Sequence, residues 1–173
     1  RIVIGARPAF DKARVQDLLR PISDRIEWMS VESAEMTKHA LNAFLALSVT
    51  FTNEIAILCE SVGADAKEVE RGLKSEARIG PGAYLGPGAA FAGGTLARDV
   101  QFLTQVGKGH QRALPLLNAV QVSNESHKQW ARNKLTEILG DVSGKTIAIW
   151  GLTYKPGTDT LRRSSAVEMC LYL

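Results

Sequence analysis

Glu35, Lys38, His39 and Asn42 fall within about two helical turns, and the four-residue spacing of Lys38 and Asn42 points both from one helix face. An ammonium and a carboxamide N–H aimed at one point stabilise an alkoxide or a tetrahedral oxyanion. A solvated face near a helix start has the same composition, so spacing alone leaves both readings open. A second candidate is the stretch IGPGAYLGPGAAFAGG, which carries six glycines between Gly80 and Gly94. Its backbone N–H groups would gather just before a helix N-terminus, where anions such as phosphate are favoured; the alternative is a plain flexible connection. It matches neither Gly-x4-Gly-Lys-Ser/Thr nor Gly-x-Gly-x-x-Gly, since Leu85 stands sixth from Gly80 and Phe91 sixth from Gly86. Behind it, Thr95, Arg98 and Asp99 open a helix, where Thr95 can act as N-cap and Asp99 can complement the dipole without any catalysis. Lys155, Asp159 and Arg162 flank a loop after a predicted strand, the place where ligands sit in open α/β sheets. His39, His110 and His127 lack metal-ligand spacing, and no metal is expected.

The elements that position these residues follow from periodicity. Ile2 to Gly5 and Ile26 to Val31 read as short strands around a helix from about Phe10 to Leu19. From Ser33 to Val62 there is neither Gly nor Pro, and Leu41, Phe44, Leu45, Phe51, Ile55 and Leu58 recur at helical spacing, which predicts one long helix stopped by Gly63. A helix of that length needs cover along it, from an antiparallel helix or a second subunit. Further helices are predicted over Asp65–Leu73, Leu96–Val106 and Leu114–Leu139, followed by a buried strand over 145–151 and a helix from about Ser164. Trp28, Trp130 and Trp150 are expected in the core.

At 173 residues, 45% hydrophobic and 23% charged, the chain has enough apolar material for a real core. The 21 Lys plus Arg against 18 Asp plus Glu are spread without a basic block, which argues against nucleic acid as partner. Two cysteines, Cys59 and Cys170, make a disulfide scaffold unavailable and point to a reducing cytoplasm. No run of about 18 apolar residues is present, so no membrane span is expected. The start at Arg1 and the apolar helical pattern still running at Leu173 read as a piece of a longer protein.

Four motifs stand in order: MSVESAEMTKHALN at 29–42, FTNEIAILCE at 51–60, ARIG at 77–80 leading into the glycine loop, and GLTYKPGTD at 151–159. Together they resemble the UDP-glucose/GDP-mannose dehydrogenase family, NAD-dependent enzymes that oxidise the C6 alcohol of a sugar nucleotide to a uronic acid. The resemblance implies an α/β, mostly helical fragment. Residues 1–32 would end an NAD-binding domain, 33–112 would form a central dimerisation domain, and 113–173 would supply a connecting helix and the start of a C-terminal sugar-nucleotide domain. It further implies a homodimer through the helix 33–62, a nucleotide-sugar substrate, a role in polysaccharide synthesis, and NAD held mainly by a domain absent from this chain.

Position by position, Lys38 and Asn42 match the residues that hold the substrate oxygen, and Asp99 matches the aspartate that assists proton movement. Arg78 matches an arginine offered to the neighbouring subunit's substrate site. Tyr84, Leu85, Phe91, Ala92 and Gly93 belong to the loop over the sugar nucleotide. Lys155 and Arg162 match basic residues between the C-terminal domain and the active site, and with Arg98 are the candidate cofactor contacts. One departure stands out. The family writes Gly-Ser-Cys, an apolar residue, Pro, Lys and Asp, whereas this chain reads GGTLARD over 93–99, with Thr95 in the place of the nucleophilic cysteine. A thiol with a pKa of about 8.5 is partly ionised at neutral pH, and an unactivated alcohol is not. A non-catalytic relative and a one-step oxidoreductase are therefore the alternatives.

Overall fold

The computed structural model describes every residue except Gly93 and Lys155. Its elements gather into two compact units, Arg1–Leu41 and Asn42–Leu173. The first holds β1 (Ile2–Gly5), α1 (Lys12–Leu19), β2 (Ile26–Met29) and the start of α2 (Val31–Val62). The strands pair in parallel with Ile2 opposite Ile26 and Ile4 opposite Trp28, so α1 is the crossover that a parallel pair requires. Asp11 caps α1, its Oδ1 accepting from the Ala13 and Arg14 amides at 3.1 and 3.3 Å. Trp28 is half-buried beneath the Lys12 ammonium, 5.6 Å from the ring centroid.

Gly5 ends β1 where the chain passes the start of α2. A Cβ there would lie 2.7 Å from Val31 Cα and 3.0 Å from Ala34 Cβ. Gly5→Ala is accordingly expected to cost roughly 1–3 kcal/mol through backbone displacement, read as a lower urea midpoint. An unchanged midpoint would mean that β1 does not rest on α2 in solution.

The long helix begins at Val31 because Ser30 Oγ accepts from the Ser33 N–H at 3.1 Å, capping it two residues before the expected start. It ends as expected at Gly63, whose φ of +73° lets the Ala64 N–H reach the Cys59 carbonyl at 2.9 Å. The buried residues of α2 are small or polar: Ala43, Ala46, Ser48, Thr50 and Thr52 among them. Their hydroxyls return to their own helix, Ser48 to the Phe44 carbonyl at 2.9 Å and Thr52 to the Ser48 carbonyl at 2.8 Å, so burial leaves them bonded. By length and composition α2 is apolar enough to cross a membrane, a test that core helices of soluble proteins also pass.

The second unit continues with α3 (Ala66–Ser75), α4 (Thr95–Gly109), α5 (Pro115–His127), α6 (Trp130–Leu139) and α7 (Ser165–Tyr172). Its core joins Ala43 and Ala46 of α2 to Val100 and Leu103 of α4 and Val120 of α5. The α4–α5 corner is tight: a Cβ on Gly107 would meet Leu114 Cδ1 at 2.7 Å. Four expectations are corrected here. The single helix over 114–139 is two, broken where the Gln129 N–H bonds to the Ser126 carbonyl at 3.1 Å rather than reaching four residues back; no Gly or Pro marks the break. Thr95 is not the N-cap of α4 but its first residue; Gly94 takes the cap position, without a side chain to bond the free amides. The strand over 145–151 does not form, because among the described residues no neighbouring strand is there to complete a ladder. Trp150 on it is 98% exposed and Trp130 39%, so neither lies in the core.

Candidate active site

Two distant segments meet at one buried polar contact. Asn42 from α2 and Asp99 from α4 are 5% and 4% exposed, and Asn42 Nδ2 donates to Asp99 Oδ2. They are brought together because the core residues beside them, Ala43 and Ala46 on one helix and Val100 and Leu103 on the other, pack α2 against α4. A carboxylate is held out of water at high cost unless donors face it, and the carboxamide supplies one. Arg98 Nε stands 3.9 Å from Asp99 Oδ1 with a largely exposed side chain, a weak and screened contact. Lys38 is an exposed residue of the first unit, one turn before Asn42 on α2.

Thr95 begins α4 one turn before Asp99, hence on the same helix face. It is exposed, and its hydroxyl bonds to no base among the described residues. The loop that starts near Tyr154 comes close as well: a Cβ built on Gly94 would lie 3.7 Å from the Tyr154 ring. Gly93 and Lys155, both among the expected site residues, lie outside the described residues. Arg162 is exposed.

The glycine-rich segment is a pinned loop rather than a loose one. Leu85 is buried, Tyr84 is exposed, Ala92 is half-buried, and Phe91 packs on the α2–α4–α5 core. Asn53 Oδ1 accepts from the Gly88 N–H at 2.9 Å. His127 Nε2 lies 2.8 Å from the Gly88 carbonyl, which can only accept, so that nitrogen is the donor. Asn124 accepts from the Phe91 N–H and donates to the Phe91 carbonyl, both at 2.9 Å. The sequence reading missed Asn53 and Asn124, although a signal was present. Asn124 follows Leu117 and Val120 on the core face of α5, and Asn53 stands two turns after Ala46 on α2, polar residues at apolar positions. Arg78 is engaged elsewhere: its Nε and Nη2 donate to Glu76 at 3.0 and 3.3 Å, and those bonds hold the Glu76 carboxyl below its usual value. Service to a neighbouring subunit would require that exposed fork to open.

A wide cleft of about 880 Å³ lies beside the loop, between Gly88, Trp130, Ile147 and Met169, and does not include Asn42, Thr95 or Asp99. Among the described residues no group of three His, Cys, Asp or Glu is placed to hold a metal ion.

The chain belongs to the UDP-glucose/GDP-mannose dehydrogenase family: residues 32–126 match its central domain. It is 36% identical over 169 residues to the UDP-glucose 6-dehydrogenase TuaD of Bacillus subtilis, covering 98% of this chain and 36% of that protein. With the UDP-glucose 6-dehydrogenase of Rickettsia bellii it shares 35% identity over 173 residues, 98% of this chain and 40% of the relative. The solved UDP-glucose dehydrogenase of Pyrobaculum islandicum superposes with a TM-score of 0.90 at 30% identity, over 98% of this chain and 39% of that one. The chain thus spans about two fifths of the length of these relatives.

Proposed function

We propose that this chain is the catalytic middle of an NAD-dependent nucleotide-sugar dehydrogenase, with Asn42 and Lys38 holding the reacting oxygen and Asp99 handling its proton. The observation that carries this is the buried Asn42–Asp99 contact one turn from Thr95. Family membership supports the substrate class, since the curated relatives are UDP-glucose 6-dehydrogenases. Residues 1–32 end the cofactor domain, 33–112 form the dimerising centre, and 113–173 open the C-terminal sugar-nucleotide domain. The loop from Tyr84 to Gly93 covers the sugar nucleotide, Lys155 and Arg162 close the site from the C-terminal side, and Arg98 with them reaches toward the cofactor. NAD itself does not fit what is present: β1 runs into Ala6, Arg7 and Pro8 with no glycine cradle, so this chain holds it peripherally at most. We place the protein in the cytoplasm, in cell-surface polysaccharide synthesis; its free thiols, buried Cys59 and exposed Cys170, suit that compartment.

On this reading Thr95 does not become a covalent nucleophile. Its alcohol is hardly ionised at neutral pH, and a lysine kept charged to bind an oxyanion is not at the same time a base. The full-length protein containing this chain, incubated with NAD and UDP- or GDP-sugars, is expected to yield no more than one NADH per sugar and no Thr95 adduct by mass spectrometry. Two NADH with an adduct would overturn the assignment. The second reading, a non-catalytic relative, is favoured by the lost cysteine, and absence of NADH with every sugar would select it.

The dimer has its own support. Phe44, Phe51 and Leu58 are 67%, 46% and 59% exposed and stand seven residues apart along α2, an uncovered stripe down one face. Light scattering at micromolar concentration is expected to return twice the chain mass, and Phe44→Glu with Phe51→Glu to return a monomer. A wild-type monomer would end the idea.

A further inference from the structure

Loop residues Gly88 and Phe91 share an unusual property: each has both its backbone N–H and its carbonyl bonded to side chains of helices. Gly88 is held by Asn53 from α2 and His127 from α5 at 2.9 and 2.8 Å. Phe91 is held by Asn124 alone, whose carboxamide does what a neighbouring strand would do, accepting and donating at 2.9 Å each. Asn53 and Asn124 are 1% and 3% exposed, which makes these bonds hard for water to replace. Asn124 and His127 are three residues apart on α5, so they present from one face at the spacing that separates Gly88 from Phe91. His127 is braced in turn by Trp130, stacked at 6.2 Å with 22° between the planes, and the Trp130 indole N–H donates to Glu60 at 3.2 Å. Only Ala89 and Ala90 separate the two held residues, and four residues after Phe91 the chain enters α4 at Thr95.

We propose that Asn53, Asn124 and His127 form a clasp whose task is to fix the glycine loop in its substrate-ready path, making them positioning residues for the sugar nucleotide. Six glycines give this segment wide backbone freedom, and the clasp removes that freedom at two points. Binding then costs less ordering of the loop, which is felt in KM rather than in the chemical step. An amide is required at Asn124. A carboxylate keeps the shape but sets an acceptor against the Phe91 carbonyl, and an aliphatic group offers nothing to either atom.

The bearing on KM rests on the reading of this loop as the substrate cover; the effect on the loop itself does not, so two measurements separate them. Hydrogen exchange of peptides spanning 86–92 in the full-length protein, without ligand, is expected to quicken about tenfold or more in Asn124→Asp at pH 8 and in His127→Leu. Peptides of α2 should be unchanged. His127→Gln, which returns a donor at similar reach, should restore protection. With UDP-glucose as probe, KM is expected to rise about 10- to 100-fold while kcat changes less than about threefold. His127 is only half-buried, so its variants remain folded even if those at Asn124 do not. Loop exchange equal to wild type in His127→Leu, or α2 quickening by the same factor as the loop, overturns the clasp. Faster loop exchange with an unchanged KM overturns its role toward the sugar nucleotide.

Discussion

Asn42→Leu is expected to cost about 2–4 kcal/mol of stability and, on the proposed function, to lower turnover of the full-length protein about 10²- to 10³-fold. The physical ground is the same for both numbers. Asn42 Nδ2 donates to the Asp99 carboxylate where both residues are at least nine-tenths buried, and an isosteric apolar group withdraws that donor from a charge that water reaches poorly. Asn42→Asp gives the sharper test, since it sets two carboxyls side by side and one must hold a proton. The pair's proton affinity is then raised in the folded state above its unfolded value. The folded state binds more protons, so stability rises as pH falls toward the ordinary carboxylate range and is lost as pH rises through the raised value. Urea unfolding at pH 5 and pH 8 reads it directly. A variant as stable as wild type at pH 8 would mean that the two side chains do not face each other.

Thr95→Cys should change the outcome of the reaction rather than its rate alone. On the proposed function, the yield in the full-length protein is expected to move from no more than one NADH per sugar to two, with the product shifting to the uronic acid. The substitution is nearly isosteric at an exposed first helical residue, so the fold should tolerate it. A thiol at a helix N-terminus has its pKa lowered by the unbonded amides there, and Gly94 as cap brings no side chain to compete for them. Iodoacetamide capture of the new thiol, faster than that of the exposed Cys170, checks the activation independently of turnover. Equal labelling rates together with unchanged NADH stoichiometry would show that position 95 is not where the nucleophile stands.

What could be read in advance divides along a physical line. Local signals carried the long helix: the absence of Gly and Pro between Ser33 and Val62, and Gly63 as the stop. The α5–α6 break was not legible, because Lys128 stays in the right-handed helical region and the interruption is one shortened hydrogen bond at Gln129, with no residue type to announce it. The segment 145–151 was legible as a pattern and still does not form a strand, since a ladder belongs to two strands and among the described residues none lies beside it. Thr95 as a cap failed for the reason that two residues competed for one position and glycine took it.

The site shows the same division. Lys38 with Asn42 is a spacing within one helix, visible in any sequence, whereas Asn42 with Asp99 is 57 residues apart and exists only because alanines let α2 approach α4. Motif resemblance nominated Asp99; burial explains why its carboxylate has a bonded amide. The glycine loop looked like freedom and is restraint, because the residues that restrain it, Asn53 and Asn124, are asparagines inside helices, where their composition reads as a minor defect in an apolar face.

Segment 145–151 has one further consequence. Ile147 and Ile149 are partly covered while Thr146, Ala148 and Trp150 face water, so the segment has the two-sided alternation of a strand but, among the described residues, no ladder. Its amides and carbonyls are an open template, flanked by a tryptophan that is 98% exposed. An extended strand of another molecule that reaches it can be captured. The protein should therefore lose solubility with concentration from this edge first, and Ile149→Lys should delay the turbidity without disturbing the helical spectrum.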